Sequence, residues 1–135
     1  MPTPDATLPS ARAKQVFAVT LFVDDLDATE QFYHDVFGMP LIHKDRESVA
    51  YHFPNLVVNL LRATAAPELI APAPVGPTGA PSRMLLTLQV EDVDDFANHL
   101  RALGVPILNG PMDRPWGPRT VTIADPSGHC WEFSS

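Results

Sequence analysis

Pro115-Trp116-Gly117-Pro118-Arg119-Thr120-Val121-Thr122-Ile123-Ala124-Asp125-Pro126-Ser127-Gly128-His129-Cys130-Trp131-Glu132-Phe133-Ser134-Ser135 reads as a β-hairpin. Two β-type runs, Arg119–Ala124 and His129–Ser134, flank Asp125-Pro126-Ser127-Gly128. Pro presets φ at the second turn position, and Gly accepts a left-handed one. Side chains alternate along a strand. Cys130, Glu132 and Ser134 therefore point one way, and Trp131 and Phe133 the other. One carboxylate, Glu132, stands opposite an aromatic core face.

Upstream, the chain repeats itself. Val19-Thr20-Leu21-Phe22-Val23-Asp24-Asp25-Leu26-Asp27 is echoed by Leu86-Thr87-Leu88-Gln89-Val90-Glu91-Asp92-Val93-Asp94. Phe37-Gly38-Met39-Pro40-Leu41-Ile42 is echoed by Leu103-Gly104-Val105-Pro106-Ile107-Leu108. Each half reads as strand, helix, strand, strand, strand. In the first half, Val16–Val23 alternates as a strand, with Val19, Leu21 and Val23 on one face. A helix then runs to about Phe37, with Asp27 and Glu30 at capping-box spacing and Asp25 as the competing cap. Leu26, Phe32, Tyr33, Val36 and Phe37 recur at helical spacing and should meet the sheet. Leu41–Lys44, Ser48–Phe53 and Leu56–Leu61 are three short strands. In the second half, Asp92 caps a helix over about Val93–Leu103 that buries Val93, Phe96, Leu100 and Leu103. Ile107–Asn109 is a short strand before the closing hairpin.

The expected division is a flexible arm at 1–14, a first βαβββ module at 15–62, a Pro- and Ala-rich linker at 63–82, and a second module at 83–135. Duplicated units that each cover one sheet face with one helix should assemble into an α+β fold. Its curved mixed sheet carries helices outside and a concave face inside, a natural small-molecule site.

The bulk properties set bounds. The chain has 135 residues and a formal net charge of −7, which disfavours nucleic acid and anionic membrane as partners and is compatible with a cationic ligand. Its single cysteine, Cys130, permits no internal disulfide. No apolar run approaches the roughly 20 residues needed to cross a bilayer. The first residues lack the basic and apolar regions of a signal peptide, so cytoplasmic residence is the expectation.

This combination resembles the vicinal oxygen chelate superfamily, which holds glyoxalase I, extradiol dioxygenases and bleomycin resistance proteins. The matching residues are Val23-Asp24-Asp25-Leu26, Phe32-Tyr33 and Phe37-Gly38-Met39, their second-module echo, and Asp125-Pro126-Ser127-Gly128-His129 before Trp131-Glu132-Phe133. The resemblance implies metal positions on the first and last strand of each module. By motif spacing these fall at Ala18, Asn59, Leu85 and Glu132. A catalytic divalent site normally takes three good protein ligands and an open position. Only Glu132 is a proper ligand here, so no metal and no other cofactor is expected. The five histidines, His34, His43, His52, His99 and His129, show no paired ligand spacing and read as surface or structural, with His52 nearest the pocket. Cys130 reads as a small buried structural thiol rather than a nucleophile.

Without a metal, the concave face offers Ala18, Thr20, Phe22, Asn59, Leu61, Leu85, Thr87, Gln89, Cys130, Glu132 and Ser134. Trp116, between prolines, can stack on a planar ligand. Arg119 joins the candidate site with its face left open. Glu132 is either an acid or base, or a pocket carboxylate paired with Arg119 or Asn59. Such a face resembles the metal-free drug-binding members of the family. The implied function is sequestration of an aromatic, cationic small molecule such as an antibiotic, by a homodimer. Two alternatives stand beside it: a metal-dependent lyase, isomerase or dioxygenase, and a metal-free enzyme using Glu132.

Overall fold

A computed structural model describes residues 12–135. Residues 1–11 of the expected arm lie outside the described residues; residues 12–14 are exposed and belong to no helix or strand. The first module comprises β1 (Ala18–Val23), α1 (Leu26–Phe37), β2 (Leu41–Lys44), β3 (Ser48–His52) and β4 (Val57–Arg62). A 3₁₀ turn (Ala63–Ala65) and α2 (Pro67–Ile70) follow. The second module comprises β5 (Leu85–Gln89), α3 (Val93–Ala102), β6 (Ile107–Asp113), β7 (Arg119–Ala124) and β8 (Cys130–Ser134).

The modules are built alike. One four-stranded sheet has the order β1-β4-β3-β2 and the other β5-β8-β7-β6. In each, the first strand runs parallel to the last and the remaining pairs are antiparallel. The α+β class and tandem βαβββ units expected from the repeat are thus what the chain adopts, with the curved surface divided between two sheets.

Local chemistry accounts for the helix ends. Asp25, not Asp27, caps α1: its side chain accepts from the Ala28 amide at 3.0 Å. Asp25 is extended, as a cap must be, whereas Asp27 already lies inside the first turn. Gly38 ends the helix with φ 62°, a conformation that costs glycine nothing. Asp92 caps α3 through the Asp95 amide at 3.1 Å. Leu103, expected in the core, is 40% exposed, because α3 ends at Ala102 and Leu103 turns out as its C-cap.

The helix-side faces of both sheets share one core. Tyr33 and Phe37 of α1 reach Tyr51 and Phe53 in the first module and Trp131 in the second. Phe37 and Trp131 have ring centroids 4.7 Å apart, and Phe96 and Phe133 4.3 Å. A polar chain runs through these aromatics. Trp131 Nε1 donates to the Tyr33 hydroxyl at 2.9 Å, and that hydroxyl donates to Asp125 Oδ2 at 2.8 Å. Asp125 Oδ1 accepts from the Ser127 and His129 amides, both at 2.9 Å, and Oδ2 meets His129 Nδ1 at 2.8 Å. The hairpin turn is therefore bolted to α1 of the other module.

Two stretches differ from expectation. The linker is partly helical, with Pro67 in the first turn of α2, where its missing N–H costs nothing. Strand β6 runs on to Asp113 instead of stopping at Asn109. Its register shifts at Gly110-Pro111, a bulge that absorbs the two strand-breaking residues and lets pairing with β7 resume.

Candidate functional site

Each sheet turns its second face away from the shared core. On the first sheet this face follows from β1, where Leu21 and Val23 are buried in the core and Thr20 and Phe22 point oppositely. Register places Thr20 beside Asn59 and Phe22 beside Leu61. The same face continues through Ala50, the partner of both Asn59 and His43. His43 Nε2 lies 2.8 Å from Asp45 Oδ2 at its rim. That contact, with the Glu47 and Ser48 amides, holds the Asp45 carboxyl down at about 2. His52 is exposed on the next row.

The second sheet carries the denser chemistry. Val121, Ile123, Trp131 and Phe133 fill the core, so Thr120, Thr122, Cys130, Glu132 and Ser134 face away from it. Register aligns Asn109 on β6, Thr122 on β7, Glu132 on β8 and Thr87 on β5 in one row across the sheet. The Thr87 hydroxyl donates to Glu132 Oε1 at 3.0 Å. Glu132 is therefore held by Thr87, and neither Asn59 nor Arg119 pairs with it. Leu85 and Gln89 flank this row on β5, both exposed. Cys130, expected to be buried, is half-buried, because it sits on the open face next to the turn.

Arg119 does not belong to this face. It has the parity of Val121 and Ile123, so it projects to the helix side. There its guanidinium meets Asp94 of α3 at 3.0 Å and Asp113 at 3.2 Å. The arginine on the open face is Arg114, which strand reading missed. Its Nε donates to Thr120 Oγ1 at 2.8 Å, and its Nη2 to Asn109 Oδ1 at 2.7 Å. Both acceptors are neutral, and no carboxylate among the described residues pairs with it. The Trp116 ring centroid lies 5.9 Å from its Cζ, within cation–π range, while the indole itself is 72% exposed.

This chain covers both open faces only in part: Ala50, Leu61, Thr120 and Thr122 are buried on them, while Leu85 is 49% exposed and Met112 37%. Phe17, 75% exposed, and Ile42, 53%, lie uncovered at the end of the first sheet. A hollow of about 520 Å³ is lined by Phe17, Ile42, His52, Leu56 and Val57 at the end of the first sheet. A separate hollow of about 210 Å³ lies between the linker and the hairpin turn, lined by Phe22, Asp24, Arg83, Ser127 and His129. His129 is anchored there by Asp125. Burial alone would raise the Asp125 pKa, but His129, its amide and Tyr33 together hold it below the usual carboxylate value.

The donor set does not fit a divalent metal. Ala18 and Leu85 end in carbon, and Asn59 supplies a neutral amide on one sheet. Glu132 lies on the other sheet with one oxygen already engaged. Among the described residues, no three His, Cys, Asp or Glu side chains gather as a metal cluster would require.

Comparison with known proteins agrees with this architecture. Residues 15–133 match the family model described as Glyoxalase/Bleomycin resistance protein/Dioxygenase superfamily. The chain is 30% identical over 123 residues to the uncharacterized protein YraH of Bacillus subtilis (strain 168), covering 88% of this chain and 96% of that protein. It is 26% identical to the lactoylglutathione lyase of Agrobacterium tumefaciens, with TM-score 0.73 over 92% of this chain and 95% of that one. It is 25% identical to TioX of Micromonospora sp. ML1, with TM-score 0.68 over 90% and 98%. The tandem modules, the shared strand order and the family match over nearly the whole described chain place this protein in the glyoxalase/bleomycin resistance protein/dioxygenase superfamily.

Proposed function

We propose that the chain is a metal-free binder of a small planar molecule, held on the open sheet faces and sequestered rather than converted. One observation carries this reading: three of the four metal positions implied by the resemblance are Ala18, Asn59 and Leu85, while an exposed indole and the exposed apolar side chains of Leu85 and Met112 remain. The ligand class is aromatic, with an antibiotic or a planar metabolite as the intended cargo. The setting is the cytoplasm. A homodimer is part of the proposal, since Phe17, Ile42, Leu85 and Met112 are large apolar side chains left uncovered on or beside these faces. A second copy would wall them in and complete the pocket.

Native mass spectrometry of protein purified without chelators tests this reading in one measurement. A dimer carrying no stoichiometric divalent metal, with a co-purified organic ligand recovered chemically unchanged, is the expected result. Stoichiometric metal, or a converted ligand, would overturn it. The second reading, a metal-dependent lyase, is favoured by the 26% identity to the Agrobacterium lactoylglutathione lyase. It requires metal in that same spectrum.

A further inference from the structure

The open face of the second sheet holds one uncompensated charge of each sign at a set spacing. Arg114 is fixed at two nitrogens by Thr120 and Asn109, which leaves Nη1 without a partner among the described residues. Both anchors are neutral, so they orient the guanidinium without cancelling its charge. The neighbouring arginine shows the contrast: Arg119 is flanked by Asp94 and Asp113 and has nothing left to offer a ligand. Glu132 is likewise oriented by a neutral group, the Thr87 hydroxyl on Oε1, and meets no cation among the described residues. Asn109, which carries Arg114, and Glu132 sit in one row with Thr122 between them. Two strand spacings separate β6 from β8, which is roughly 10 Å.

We infer that this face selects a dipolar aromatic ligand: an oxyanion such as a carboxylate at Arg114, a planar ring against the exposed Trp116 indole, and an ammonium or other hydrogen-bond donor at Glu132. The inference rests on the open face being the ligand site and narrows it, because net charge alone points to a purely cationic ligand. A fork-shaped guanidinium with a free edge suits a planar oxyanion better than a point charge does. The indole adds a stacking wall of the right polarity, since the guanidinium near it already favours an electron-rich face. Placing both charges on one rigid sheet fixes the length of ligand that satisfies both.

Four naphthalene probes of matched size separate the contributions: 6-(aminomethyl)-2-naphthoate, 2-naphthoate, 2-(aminomethyl)naphthalene and neutral 2-methylnaphthalene. Binding is read by calorimetry at physiological salt on the full chain, with circular dichroism confirming that each variant folds. The dipolar probe is expected to bind tightest. Arg114→Gln should weaken the dipolar probe and 2-naphthoate by about tenfold to a hundredfold, the range for hydrogen bonds to charged groups, and leave 2-(aminomethyl)naphthalene unchanged. Glu132→Gln should do the reverse. Arg114→Lys keeps the charge but loses the fork, and should fall between wild type and Arg114→Gln. Equal affinity of the neutral and dipolar probes would overturn the dipolar assignment while leaving the binder reading intact. Unchanged 2-naphthoate affinity in Arg114→Gln would do the same. Failure of all four probes to bind the wild-type chain would overturn both.

Discussion

Tyr33→Phe removes one oxygen at the point where the two modules meet. The ring stays, so its stacking on Phe37 at 5.1 Å and its contact with Trp131 at 6.1 Å are kept. Two hydrogen bonds go. Trp131 Nε1–H loses its acceptor at 2.9 Å, in a residue only 3% exposed. A buried donor left without a partner costs about 1–3 kcal/mol. Asp125 also loses a donor at 2.8 Å, and bonds to charged acceptors are worth about 1.5–3 kcal/mol. The carboxylate still keeps His129 Nδ1 and two backbone amides, so this second loss falls at the low end. Because both bonds share one hydroxyl they are not independent, and the combined loss is roughly 2–4 kcal/mol. Urea unfolding at constant protein concentration measures it: the midpoint should fall while the slope m stays unchanged. Tyr51→Phe is the control. Tyr51 is itself buried, but its hydroxyl donates to the carbonyl of the partly exposed Glu30 at 3.1 Å and makes one neutral bond, so it should cost only about 0.5–1.5 kcal/mol. A Tyr33→Phe loss no larger than that of Tyr51→Phe would refute the reasoning that this chain bolts the hairpin to α1.

Further outcomes follow from the same geometry. Burial, then the Asp125 charge and hydrogen bond, push the Tyr33 pKa far above its ordinary value. The unfolded chain therefore releases that proton first, and stability should fall as pH rises above about 10; Tyr33→Phe should flatten this limb in urea midpoints taken across pH. The folded Asp125 carboxyl sits below its unfolded value, so its contribution is present above roughly pH 4 and is lost as pH falls through the folded value. Asp125→Asn should show a shallower acid limb by the same measurement. Gly110→Ala places a Cβ against the Thr120 carbonyl at φ 87°, so the bulge must move. A loss of about 2 kcal/mol or more in urea unfolding is expected, together with weaker 2-naphthoate binding as Asn109 and Arg114 shift. Arg119→Gln should leave affinity for all four naphthalene probes unchanged, since its partners Asp94 and Asp113 lie off the open face.

The parts of the fold legible in the sequence were those with local chemistry. Asp125-Pro126-Ser127-Gly128 specifies its own turn, and alternation on either side assigns Trp131 and Phe133 to the core without any knowledge of the partner. The repeat carried the topology, because each module solves the same packing problem with the same pattern. Reading failed where tertiary pairing overrides a local signal. Gly110 and Pro111 break strands in isolation, yet β7 continues to pair beyond them through a bulge, and Arg114 is carried onto the face as a result. Arg119 was the opposite case. Its parity with Val121 and Ile123 already pointed it to the helix side, a signal the register of the hairpin makes plain. Tyr33 read as one more apolar contact of α1, and nothing local announces that its hydroxyl is the acceptor of Trp131 from the other module.

Net charge is a poor guide to this site because charges partition by face. The formal charge of −7 suggests a cationic ligand, and the 16 acidic residues do outnumber the 9 lysines and arginines. Several of them are spent elsewhere: Asp94 and Asp113 neutralise Arg119, Glu30 pairs with Lys44 at 2.9 Å, and Asp125 is turned into the core. What reaches the open face of the second sheet is Glu132 and Arg114, a balanced pair. A ligand at that face meets the local field, since charges more than a Debye length away, about 8 Å at physiological salt, are largely screened. Binding there should accordingly depend far more on Arg114→Gln or Glu132→Gln than on any equal change of net charge made on the helix side. Charge-matched substitution at Lys44, which lies against Glu30 on the first module, supplies that comparison: if Lys44→Gln weakened 2-naphthoate as much as Arg114→Gln does, long-range attraction rather than the built face would be setting affinity.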